Sequence, residues 1–161
     1  MHLIFTQTQK FVASNAGILL PAFRTTATVG GLVLFSAGLT GLYSPSKLAD
    51  QFGIPLRIRS SSPKKQNSKN INSDGDQELV KAWITACAGR EVFLGSLILS
   101  LLYLKEYKAL SVALTLGNLI GVVDTIAALK GGSDGAWKKH VITTALLLWV
   151  GPLGMFLSGL E

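Results

Sequence analysis

The sequence predicts an all-α fold, an integral membrane antiparallel four-helix bundle with a long flexible loop between helices 1 and 2. Three observations predict it. Mean hydropathy is +0.42. Charged residues are 15% of the 161, against roughly 25% in soluble domains. Eleven of the 24 charges crowd between Lys47 and Lys81, and the chain keeps four apolar runs, Ala27–Tyr43, Ala82–Leu104, Ala109–Leu129 and Val141–Leu160, near the roughly 17–25 helical residues that cross a bilayer. An ordinary soluble globule is excluded.

Residues 1–26 contain no acid, two basic residues and several Ser and Thr. They read as an N-terminal tail with an interfacial stretch from Phe11 to Leu20, with a mitochondrial presequence as the lesser alternative. The membrane domain then occupies 27–160. Its first run is short, so it takes in Thr25 and Thr26 or crosses with little tilt. After it, Ser44–Pro55 should lay Leu48 and Phe52 on the membrane surface as a short amphipathic turn, ended by Gly53 and Pro55. Residues 56–77, rich in Ser, Asn and Lys, read as a mobile loop. Only Lys105-Glu106-Tyr107-Lys108 separates the second and third runs, enough for a tight return between antiparallel neighbours. Glycines after Lys130 turn the chain toward Trp137, placed for the headgroup region. Pro152, between Gly151 and Gly154, should kink the fourth helix.

The net charge of +6 fits membrane-surface electrostatics better than nucleic acid, because no aromatic residues interleave the basic ones. Four crossings would put about ten Lys and Arg on the side of the long loop and about four on the other, so the loop should face the cytosol and both termini the opposite side. Cys87 is the single cysteine and has no disulfide partner within the chain; in an apolar setting it reads as a small packing residue. No zinc-ligand spacing, phosphate-binding glycine loop, dinucleotide fingerprint or nucleophile elbow occurs, so neither a cofactor nor a metal is expected.

The informative residues are the charges inside the apolar runs. Arg90, Glu91 and Asp124 each cost at least a few kcal/mol at depth unless paired or hydrated. At about 1.5 Å of rise per residue, Arg90 and Glu91 lie about 13 to 15 Å, and Asp124 about 9 Å, from the boundary set by Lys81 and Lys130. His140 opens the fourth run on that side, with Thr143 and Thr144 a turn deeper and Asn118 below Asp124. Gly117, Gly121, Asp124 and Ala128 share one stripe, which should turn Asp124 toward protein and allow close helix approach. Gly30, Gly31, Gly38 and Gly41 read as packing notches in the first span. Arg90 and Glu91 are about 100° apart on their helix, so Arg90 should pair with Asp124 and leave Glu91 for His140 or a water-filled pocket.

Gly89-Arg90-Glu91-Val92-Phe93-Leu94-Gly95, Gly121-Val122-Val123-Asp124 and Trp137-Lys138-Lys139-His140, with Tyr43-Ser44-Pro45 and Phe52-Gly53-Ile54-Pro55 before them, resemble a family of small four-span membrane proteins, common in fungi and bacteria, known as a domain of unknown function. The resemblance covers roughly residues 27 to 160; the Ser/Lys-rich insertion after Arg59 departs from it. It implies no reaction, although fungal members of this size often accompany biosynthetic pathways for secondary metabolites.

Two function classes follow. The first is an acid/base enzyme, a cyclase, isomerase or epoxide-opening hydrolase, acting on a lipophilic small molecule in an intramembrane pocket. Glu91, Asp124 and His140 would be its catalytic residues, and Arg90, Asn118 and Thr144 would bind substrate. The second is a non-catalytic scaffold for a partner enzyme or a second copy of the chain, or a small-solute carrier, in which the charges form a structural ion pair. The expected partners are the lipid bilayer and a lipophilic small molecule, without nucleic acid. The expected location is the endoplasmic reticulum or another endomembrane, with a mitochondrial membrane as the alternative.

Overall fold

The computed structural model describes residues 2–51, 73–131, 138, 141, 144–145 and 148–159. Six helices have described bounds: α1 (His2–Ser14), α2 (Ala16–Tyr43), α3 (Pro45–Gln51), α4 (Ser73–Tyr103), α5 (Tyr107–Gly131) and α6 (Val150–Leu157); Lys138, Val141, Thr144 and Ala145 are helical as well. Three of them are long and apolar enough to cross a membrane: α2, α4 over Glu78–Tyr103, and α5 over Tyr107–Ala127.

The fold is therefore all-α with three membrane-spanning helices among the described residues, and the expected four-span bundle is corrected. Apolarity along 141–160 was the basis for a fourth span, and hydropathy does not register helix starts. Helix α6 begins only at Val150. Pro152 sits in its first turn, where a missing N–H leaves no intrahelical bond unmade. Eight residues extend about 12 Å against a hydrocarbon core of about 30 Å. Val141, Thr144 and Ala145 ahead of α6 are also helical, and the chain turns at Leu148–Trp149, so Pro152 sits where the helix resumes after a break. The inference that both termini share a face rested on four crossings and goes with it.

The other spans differ from expectation mainly at their ends. Residues 16–26, assigned to the tail, are the first turns of α2, with Pro21 inside the helix. Helix α1 precedes it across Asn15, whose Nδ2 donates to the Phe11 carbonyl at 2.8 Å and whose own carbonyl accepts from Ile18 and Leu19. Residues 73–77, placed in the loop, belong to α4. Helix α3 forms where an amphipathic turn is expected, with Pro45 at its first position. Leu48 is buried against Ile84, Ala88 and partly buried Val80, so it packs on α4 instead of lying on lipid. Phe52–Pro55 and the rest of the loop up to residue 72 fall outside the described residues.

Between α4 and α5 the chain reverses in three residues. Lys105 takes a positive φ of 60°; its N–H reaches the Leu102 carbonyl at 3.1 Å, and the Glu106 N–H reaches Leu101 at 2.9 Å. That pair of bonds is a Schellman motif, which satisfies two terminal carbonyls of α4.

Helices α2 and α4 are antiparallel and share the most extensive interface. Gly31 faces Leu99, Gly38 faces Val92, Gly41 faces Ala88, and Gly95 faces Phe35. Helix α5 packs antiparallel on α6, with Thr115 at Gly151 and Ser111 at Gly154. The main core lies toward the α4–α5 turn, where Val12, Phe23, Ala27, Ile98, Tyr107, Leu110, Leu114, Val150 and Leu157 meet. The Tyr107 ring lies under the Arg24 guanidinium at 4.9 Å and edge-on to Phe23 at 6.3 Å. The outward faces carry exposed Leu32, Phe93, Leu119 and Val123, with Tyr43, Trp83 and Tyr103 near the span ends. In a bilayer these are lipid contacts and an aromatic belt.

Candidate functional site

Arg90 lies 12 residues after Glu78 and 13 before Tyr103, near the middle of the α4 span. Its guanidinium crosses to α5 and holds Asp124 through both terminal nitrogens, Nη1 to Oδ1 at 3.1 Å and Nη2 to Oδ2 at 2.7 Å. The fork matches the carboxylate plane, the geometry that makes Arg–carboxylate pairs stronger than neutral hydrogen bonds. Arg90 Nη2 also donates to Glu91 Oε1 at 2.8 Å. The expectation that Arg90 and Glu91 must seek different partners is corrected: the long arginine side chain bends over the helix surface, and the 100° between the two Cα positions does not keep the heads apart. One guanidinium thus serves two carboxylates. The side chains are 29% (Arg90), 12% (Glu91) and 18% (Asp124) exposed, so the cluster is mostly but not wholly enclosed.

Glu91 commits one oxygen to Arg90, and its second has no hydrogen-bond partner among the described residues. Arg90 Nε is buried and unpartnered among them.

Beside this cluster lies a cavity of about 470 Å³, whose walls come from α2, α4 and α5 with Leu48, Thr144 and Val150. Small-molecule sites occupy roughly 300–1,000 Å³. Glu91, Asp124, Asn118 and Thr144 all line it. Arg90 does not; it reaches the two lining carboxylates from outside the cavity wall. The structure thus brings together four of the six residues singled out in the sequence and places the fifth against two of them. The sixth, His140, lies outside the described residues.

Two glycines have a different role from the one their spacing indicates. Gly31, Gly38 and Gly41 are contact points between helices, but Gly30 and Gly117 line the cavity, and a Cβ on either would meet nothing within 4 Å. They make space, not contact. Gly121 is tight, since a Cβ there would come 2.8 Å from Thr144 Oγ1. The sequence reading also missed Thr26, Leu34 and Ile98, which complete the wall. Nothing distinguishes an apolar residue facing a cavity from one facing lipid until the rotations of the helices are known.

Residues 31–154 match the family described as Domain of unknown function (DUF4267), and the chain belongs to that family. The match spans both the charged cluster and most of the cavity wall. Comparison with curated proteins and with solved structures finds no match.

Proposed function

We propose that this member of the DUF4267 family is a membrane-embedded acid/base enzyme that isomerises or cyclises a lipophilic small molecule. The observation that carries the reading is a largely apolar cavity within the spans into which two carboxylates face, one of them with an oxygen to spare. Ionisable groups at membrane depth are costly and are kept mainly where they act on protons, ions or substrates.

In this reading Glu91 is the catalytic residue. Its carboxylate takes a proton from an activated carbon of the substrate, and the carboxylic acid so formed returns a proton to another carbon of the shifted double bond or closed ring. The carboxylate is regenerated and no oxidant or reductant is consumed. Asp124 is held by both nitrogens of Arg90 and acts as the fixed counter-charge that positions the guanidinium, which in turn positions Glu91. Asn118 and Thr144 supply polar contacts to the substrate. A place in secondary-metabolite biosynthesis at an endomembrane, as the family resemblance implies, would supply such substrates.

The test does not require the substrate to be known. Membranes containing the chain, incubated in D2O and extracted for mass spectrometry, should yield a lipophilic species carrying non-exchangeable deuterium. Membranes with Glu91→Gln should lack it. If no such species depends on the wild-type chain, the reading fails.

A further inference from the structure

The polar groups of the cavity are not spread evenly along it. Because α2 and α4 are antiparallel and α4 returns directly into α5, Ala37, Glu91 and Asp124 belong to one end of the bundle, and Ala27, Ile98 and Leu114 to the other. Glu91, Asp124, Asn118 and Thr144 cluster toward the first end, while the second, where the Thr26 hydroxyl donates to the Ala22 carbonyl of its own helix, continues into the apolar core. The α2 wall runs from Thr26 to Ala37, about 17 Å at 1.5 Å per residue. Helices α2 and α5, which supply most of the wall, share no extensive contact, each packing instead on α4 and α6. The space is elongated, with a polar head end and an apolar tail end.

The charge at the head end is one-sided. Arg90, Glu91 and Asp124 sum to a formal −1. The two terminal nitrogens of the only cation among them are engaged by the carboxylates, and Arg90 does not line the cavity. Among the described residues an anionic head would meet carboxylates and no lining cation. A cationic head that donates hydrogen bonds would find the spare oxygen of Glu91 and neutralise the excess charge.

We infer that the occupant of this cavity is a single-chain amphiphile with a protonated amine head, bound with its head at Glu91 and its tail along Ala27, Gly30, Leu34 and Leu114. The inference rests on the reading of the cavity as a substrate site and names the class of molecule it takes.

The test measures binding, not turnover. The full chain in phosphatidylcholine nanodiscs is photolabelled with a tetradecylamine carrying a diazirine in its tail. Tetradecylamine, tetradecanol and tetradecanoate compete, and labelled peptides are mapped by mass spectrometry. Labels should fall on the α2 and α5 segments at Ala27–Leu34 and Ala113–Gly117, and the amine should compete at least about tenfold better than the carboxylate. Glu91→Gln should reduce that preference. Gly30→Leu, which places a side chain in unfilled space and gains helix propensity, should abolish specific labelling without lowering Tm. Equal or better competition by the carboxylate or the alcohol overturns the inference, as does labelling confined to lipid-facing positions such as Phe93 and Leu119. Amine binding without deuterium incorporation would sink the catalytic reading alone; incorporation without amine preference would sink this one alone.

Discussion

The two acids of the cluster have different roles because they make different bonds. Asp124 accepts from both terminal nitrogens of Arg90, whereas Glu91 accepts from one. Asp124→Asn should therefore destabilise the protein, by roughly 1–3 kcal/mol for charge-assisted bonds lost, read as a fall in thermal midpoint. Glu91→Gln keeps an acceptor on Nη2 and should cost less than Asp124→Asn in the same assay. In the sequence Glu91 and Asp124 are equal candidates for the catalytic acid; the proposed reading keeps Glu91 for that task because Asp124 is engaged by both terminal nitrogens of Arg90. A residue-level gain is expected at Lys105, whose φ of 60° is costly for a side chain with a Cβ and free for glycine. Lys105→Gly should stabilise the chain by about 0.5–1 kcal/mol after the added unfolded-state entropy is deducted, seen as a raised Tm. The ion pair was legible in sequence because few charges lie inside the spans. The spare oxygen was not, since it depends on side-chain rotamers.

At the scale of helices, glycine decides how closely α2 and α4 approach. A Cβ on Gly38 would come 2.5 Å from the Val92 backbone nitrogen, and one on Gly95 would come 2.5 Å from that of Phe35. Backbone cannot swing aside as a side-chain tip can, so Gly38→Ala and Gly95→Ala should each cost about 1–3 kcal/mol by forcing the helices apart. Gly89→Ala, with nothing within 4 Å of the added carbon, is the control that should leave thermal unfolding unchanged or improved. Spacing in the sequence identified Gly38 and Gly41 as packing notches. It assigned Gly30 the same role, because a glycine beside a cavity and one beside a helix have the same neighbours in sequence. Element existence was legible from apolar length for α2, α4 and α5. The fourth apolar run misled because the turn at Leu148–Trp149, just ahead of Pro152, interrupts helical continuity without lowering hydropathy.

For the whole molecule, antiparallel α2, α4 and α5 put the connection between α2 and α4 on one side of the membrane and the α4–α5 turn on the other. The first connection carries Lys47, Arg57, Arg59, Lys64, Lys65 and Lys69, while the turn has Lys105 and Lys108 beside it. The positive-inside bias predicts that the first connection faces the cytosol. In a Cys87→Ser background, cysteines at Lys47 and Lys105 should label from opposite faces with a membrane-impermeant reagent; labelling from the same face would remove the three-span arrangement. In the proposed function the Arg90–Asp124 pair holds the bundle while Glu91 works in the cavity. The most direct measurement pairs the Tm of purified Glu91→Gln in nanodiscs with deuterium incorporation in membranes that contain the same variant. We predict a Tm within about 2 °C of wild type, less than about 1 kcal/mol for a domain of this size, with incorporation lost. Incorporation that survives, or that falls only in proportion to a falling Tm, would contradict the account.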